Sequence, residues 1–128
     1  MEADSIAIGF ADNTFIYLSR DFARFKEISD EAMRIVQSRG TGERCFFDDE
    51  VEAAKYGQKY LQLSFDQPIN VQDNDITAVL ILFTEREEFR ILGNVLVKVA
   101  RPDYSGPLWT GVGKLDTNRL EGLVDKLR

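Results

Sequence analysis

Ile76 to Ala100, ITAVLILFTEREEFRILGNVLVKVA, constrains the fold more than any other stretch of the chain, because no other is so apolar. Ile76 to Phe83 is short, rich in β-branched residues and bounded by polar turns, which favours a strand over a buried helix. Val95, Val97 and Val99 alternate with Leu96, Lys98 and Ala100, so a second strand, with Gly93-Asn94 as a bulge or turn candidate, is expected across Phe89 to Ala100. The connection Thr84 to Glu88 has no Gly, Pro or Asn and consists of helix formers, so it reads as a helical turn or a long exposed loop. These strands form the expected centre of a β-sheet.

The flanking segments supply the rest of an α+β pattern. Residues 6 to 10 and 14 to 18 read as a hairpin turning at Ala11, Asp12 and Asn13. Gly9 inside the first strand marks a bulge, a twist adjustment or a close backbone approach. From Asp21 to Arg39, Phe22, Phe25, Ile28, Ala32, Ile35 and Val36 share one helical face, and Arg24, Glu27, Asp30, Glu31, Arg34 and Gln37 fall opposite. Ser19 or Asp21 is the expected N-cap of that helix, and Gly40 its C-terminal stop. Gly40, Thr41 and Gly42 form a loop leading into Cys45, Phe46 and Phe47.

A short helix ending near Gly57 is expected in DDEVEAAKYG, where Asp49 and Glu52 resemble a capping box. Leu61, Leu63 and Phe65 alternate as a strand ended by Asp66, Gln67 and Pro68, and 70 to 75 reads as a turn. Pro102 to Pro107 is a loop by composition, and 108 to 115 a last strand. Leu120, Leu123, Val124 and Leu127 make the stripe of a final helix capped by Asp116 or Thr117, in which Gly122 hints at close packing. The pattern predicts one domain over residues 1–128, with a single antiparallel sheet of about five or six strands and two to three helices mainly on one face.

Composition removes several classes of function. The 128 residues contain 22 acidic and 16 basic side chains, a net charge of −6, which disfavours nucleic acid as a ligand and favours a basic protein partner. There is no histidine, so the commonest acid/base catalyst and metal ligand is missing. Catalytic triads and HExxH zinc sites cannot be built within the chain. Gly111-Val112-Gly113-Lys114 lacks both the upstream glycine and the following Ser or Thr of a phosphate loop. One cysteine, Cys45, and a first stretch without a signal-peptide pattern favour the cytoplasm. The longest apolar run is far short of the ~18 to 20 residues that span a bilayer, so no membrane role is expected.

Two acidic clusters remain as candidate sites. Asp48, Asp49, Glu50 and Glu52 precede Tyr56 and Tyr60, and Glu85, Glu87 and Glu88 sit in the connection that follows Phe83, with Tyr104 as a further exposed aromatic. Interface energy concentrates in a few aromatic and charged groups, so these residues suit a cationic partner. Taken singly, each also fits an ordinary solvated surface, and the first cluster complements a helix dipole.

The small, acidic, histidine-free profile, together with the opening IGFADNTFIYLSRD, is similar to bacterial toxin-immunity proteins. The likeness covers about a tenth of the chain, ends at Asp21 and contains no diagnostic motif. It implies an inhibitor that binds and neutralises a basic toxin such as a nuclease, with no cofactor and no catalysis. Two other classes fit the composition: an oligomeric adaptor or secretion chaperone, which needs an exposed apolar face or edge, and a magnesium-type enzyme using Asp48 to Glu52 with Asp73 or Asp75.

Overall fold

The computed structural model describes residues 3–38, 45–72, 74–83, 94–100 and 108–127. Its strands are β1 (Ser5–Gly9), β2 (Phe15–Ser19), β3 (Cys45–Phe47), β4 (Tyr60–Val71), β5 (Asn74–Leu82), β6 (Val95–Val99) and β7 (Leu108–Gly113); its helices are α1 (Phe25–Gln37), α2 (Asp48–Lys55) and α3 (Asn118–Asp125). All seven strands join one antiparallel sheet in the order β2-β1-β4-β5-β6-β7-β3. The expected α+β architecture is present, with more strands than expected. Cys45 to Phe47, to which the sequence pattern assigns no element, pairs with β7 in the register Phe46↔Trp109.

The apolar character of β5 follows from burial on both sides. Val79 and Ile81 point into the larger core with Ile28, Ala32 and Ile35 of α1 and Leu120 and Val124 of α3. Ala78, Leu80 and Leu82 point to the opposite face, where they meet Val51 of α2, Leu96, Tyr60, Phe46 and Trp109. Strands buried on both faces lose polar alternation and read as continuous hydrophobic runs. Two of the three helices thus share a face. The third, α2, leaves the β3 edge and crosses the other face back to the centre of the sheet.

Several boundaries depart from the sequence pattern for identifiable reasons. β4 does not stop at Asp66; its ladder shifts between Ser64 and Ile69 and resumes as far as Val71. Pro68 falls within that irregularity, where no ladder N–H is required. The expected turn at 70 to 75 contracts to a tight reversal in which Gln72 takes a left-handed φ of 50°. α1 begins at Phe25 without a side-chain cap, after turns closed by Phe22 N–H to the Ser19 carbonyl and Phe25 N–H to the Phe22 carbonyl. Neither Ser19 nor Asp21 caps it, and Phe22 is partly exposed rather than in the core stripe. Glu31, expected on the wet face, is buried beneath Arg34 and lies 3.8 Å from Arg119 of α3. Gly40 lies outside the described residues.

At α3, Thr117 holds the N-cap position without a side-chain cap bond, and the Asp116 carboxylate, one residue earlier, accepts from the Asn118 N–H at 3.0 Å. Gly122 contradicts the close-packing expectation, because a Cβ there would meet nothing within 4 Å. Gly111 to Gly113 belongs to β7, so this segment is a strand and not a loop opening a helix.

Candidate protein-binding face

α2 is anchored at its start by a carboxylate. The buried Trp109 donates its indole N–H to Asp48 Oδ1 at 2.7 Å, and Lys98 Nζ stands 3.3 Å from the same oxygen. The Lys98 ammonium also lies 5.6 Å from the centre of the Trp109 ring, within cation–π range. The Trp109 hydrogen bond first, and then Lys98 and Lys55, hold the Asp48 carboxyl below its ordinary range against the opposing effect of burial. Asp48 therefore ties the helix to β6 and β7.

The next carboxylates finish the helix start. Glu50 Oε1 accepts from the Phe47 N–H at 3.2 Å, and Asp49 Oδ1 accepts from the Glu50 N–H at 2.9 Å. The reciprocal pair expected between Asp49 and Glu52 is thus replaced by a bond from Glu50 to the residue preceding the helix, because Asp48 is already drawn into the first turn by Trp109. Glu52 is free of that task and pairs with Lys55 at 2.7 Å. Lys55 also donates to Gln62 Oε1 at 2.8 Å and stands 5.2 Å from the Tyr60 ring centre.

Aromatic side chains surround this helix. Tyr56, just beyond its end, is 74% exposed, and Phe47, just before its start, is 64% exposed. Tyr60 is buried and lies across Gly9, its ring meeting Phe15 edge-on at 6.4 Å; Phe15 in turn stacks on Tyr17 at 6.3 Å. Burial, with the nearby Glu52 carboxylate and Tyr17, raises the Tyr60 phenol above its ordinary pKa. The tip of the first hairpin is drawn to the end of α2 because Asn13 Oδ1 accepts from the Gly57 N–H at 2.8 Å. Asn13 does so from a left-handed φ of 66°, a conformation that Asn tolerates.

The candidates from sequence therefore separate. Asp48, Asp49, Glu50, Glu52, Tyr56 and Tyr60 come together on and beside α2, while Glu85, Glu87, Glu88 and Tyr104 lie outside the described residues, as does Asp73. Asp75 accepts from Asn70 Nδ2 at 3.3 Å. Among the described residues, no three Cys, Asp or Glu side chains stand close enough to hold a metal ion together.

Sequence reasoning missed Phe15 and Tyr17, which are 53% and 76% exposed on β2. The available signal was that TFIYL is apolar at both parities. Such a strand is either sandwiched or leaves one apolar face open, and its place at the end of the sheet decides for the second. No helix of the described residues is long and apolar enough to cross a membrane. No protein-family model, curated protein or solved structure matches the chain.

Proposed function

We propose that this protein is a binding module of the immunity type, which neutralises a basic toxin, in the cytoplasm of a bacterium, by covering it with the α2 face. The observation that carries this reading is the exposed Tyr56 and Phe47 at the two ends of a helix whose solvent side presents Asp49, Glu50 and Glu52. Protein interfaces combine aromatic anchors that become desolvated with a polar rim, and complementary charge on the rim accelerates encounter. The net charge of −6 acts in the same direction. The role asks for binding and not for chemistry, consistent with a chain that has no histidine. The carboxylates contribute as a rim, since Asp48 and Glu52 already have cationic neighbours within the fold.

Affinity capture from the native host tests this reading. A cationic protein should be recovered, its association should slow steeply as salt is raised, and its toxic activity should fall on titration with the captured chain. Recovery of only neutral or acidic partners, or a toxin unaffected by saturating protein, would overturn it. A reading frame for a large secreted toxin directly upstream would support it independently.

A further inference from the structure

α2 ends in a type II β-turn. Tyr56 has φ −63° and ψ 127°, Gly57 has φ 71°, and the Gln58 N–H donates to the Lys55 carbonyl at 3.1 Å. Glycine suits the second corner because a positive φ costs it nothing. Continuing the helix would instead send the Gly57 N–H to the Ala53 carbonyl, the acceptor that the Tyr56 N–H uses at 3.3 Å. The Gly57 N–H goes to Asn13 Oδ1 at 2.8 Å, so a side chain of the hairpin tip decides which way this peptide faces. That tip is itself braced. Asn13 N–H donates to the Phe10 carbonyl at 2.9 Å, and Asp12 Oδ1 accepts from the Thr14 N–H at 3.1 Å and its hydroxyl at 2.6 Å.

In a trans peptide the carbonyl points opposite to the N–H that follows it, so the Tyr56 carbonyl faces away from Asn13. No described residue donates to it. Glu52 precedes Tyr56 by one helical turn and so lies beside it, with 63% of its side chain exposed. The C-terminal end of the helix adds partial negative charge at the same place. An exposed ring, a carboxylate and an unbonded carbonyl therefore stand together. The fold already holds one cation with such a set: Lys55 Nζ lies 5.2 Å from the Tyr60 ring centre, 2.7 Å from Glu52 Oε1 and 2.8 Å from Gln62 Oε1.

We propose that this turn is an arginine-binding corner of the α2 face, kept in its binding form by Asn13 acting as a positioning residue. The inference rests on the α2 docking reading, of which it names the contacting group of the partner. An incoming guanidinium stacks on the Tyr56 ring while its N–H groups donate to the Tyr56 carbonyl and to the Glu52 oxygen that Lys55 leaves open. A planar fork of donors suits this spread of acceptors better than a compact ammonium does. Loss of the Asn13 bond lets the helix take Tyr56, whose ψ then swings from 127° to the helical value of about −42° and carries the carbonyl away from the guanidinium.

The probe is the tripeptide acetyl-Arg-Arg-Arg-amide, titrated into the isotope-labelled full chain at about 0.15 M salt, where long-range attraction is screened, and followed by NMR. Saturable shift changes are expected at Glu52, Tyr56 and Gly57. Binding should weaken about fivefold or more in Asn13→Gly, which keeps the left-handed corner but loses the acceptor, and return in Asn13→Asp, which keeps both. Without peptide, Asn13→Gly should also move the Tyr56 Cα shift from the extended towards the helical range, which a contact serving stability alone would not do. Shift changes centred elsewhere, equal binding of acetyl-Lys-Lys-Lys-amide, or an Asn13→Gly protein that keeps Tyr56 extended and binds undiminished would each overturn the proposal. The titration needs no toxin, so its failure removes the arginine corner, whereas a failed capture removes the toxin-binding role.

Discussion

The ring of Tyr60 occupies the space above Gly9 that a Cβ would need, and it reaches across β1 to touch Phe15 of β2. Gly9 is the register partner of both Tyr60 and Phe15, so three neighbouring strands share one aromatic contact at this point. The glycine is retained for the room it leaves, not for an unusual backbone angle. Gly9→Ala should therefore destabilise the protein by about 1–3 kcal/mol, the usual cost of overpacking. The cause is checked by a double-mutant cycle in denaturant melts. In a Tyr60→Leu background, with no ring above position 9, the penalty should shrink by more than ~0.5 kcal/mol, and an unchanged penalty would refute the ring as its source.

Asp48 makes stability depend on acid in a defined direction. Its folded pKa is lowered by the Trp109 hydrogen bond and the nearby Lys98, so its contribution is complete above the unfolded value of about 3.9 and is lost as pH falls through the lower folded value. Asp48→Asn keeps an acceptor for the indole but does not titrate, so the difference in melting temperature between wild type and variant should narrow steadily below about pH 4. Asp48→Ala removes the acceptor and leaves the buried Trp109 N–H without its partner, at a cost of about 1–3 kcal/mol at neutral pH. If Asp48→Ala and Asp48→Asn melt alike at pH 7, the indole bond is not what anchors α2.

Gly122 is the simplest position at which to gain stability. It lies within α3 and a Cβ there enters open space, so Gly122→Ala adds helix propensity without a steric cost. A gain of about 0.5–1 kcal/mol is expected, read as a higher denaturant midpoint with an unchanged slope. A loss would mean that the helix is more crowded than its backbone indicates.

What sequence periodicity can reveal is burial parity. It exposed the strands of Ile76 to Phe83 and the stripes of α1 and α3, because each must present apolar side chains to a core at a fixed spacing. Sheet order is invisible to it, since neighbours in the sheet need not be neighbours in the chain. The same blindness hid the short β3, whose existence depends on a strand distant in the chain, in the pairing Cys45↔Thr110, Phe46↔Trp109. It also hid the dual use of acidic residues. Asp48 and Glu31 look like solvated charges by spacing, yet one is bound to a buried indole and the other is covered by two arginines. The aromatic pair Phe15 and Tyr17 was legible as apolar but not as exposed, because exposure there follows from β2 being the last strand on its side.

Leu80 and Tyr56 separate scaffold from surface. Leu80 is fully buried between the sheet and α2, so Leu80→Ala should cost about 2–5 kcal/mol and weaken any binding only by reducing the folded population. Tyr56 is 74% exposed with its backbone N–H bonded to the Ala53 carbonyl, so truncating its side chain should alter stability by no more than about 0.5 kcal/mol. If the α2 face is the docking surface, Tyr56→Ala should nonetheless lower partner affinity at least about tenfold, the range expected of an aromatic anchor. Denaturant melts and binding titrations on the same two variants give opposite orders of severity in that case. A Tyr56→Ala protein that folds normally and binds its captured partner unchanged would move the docking surface away from α2.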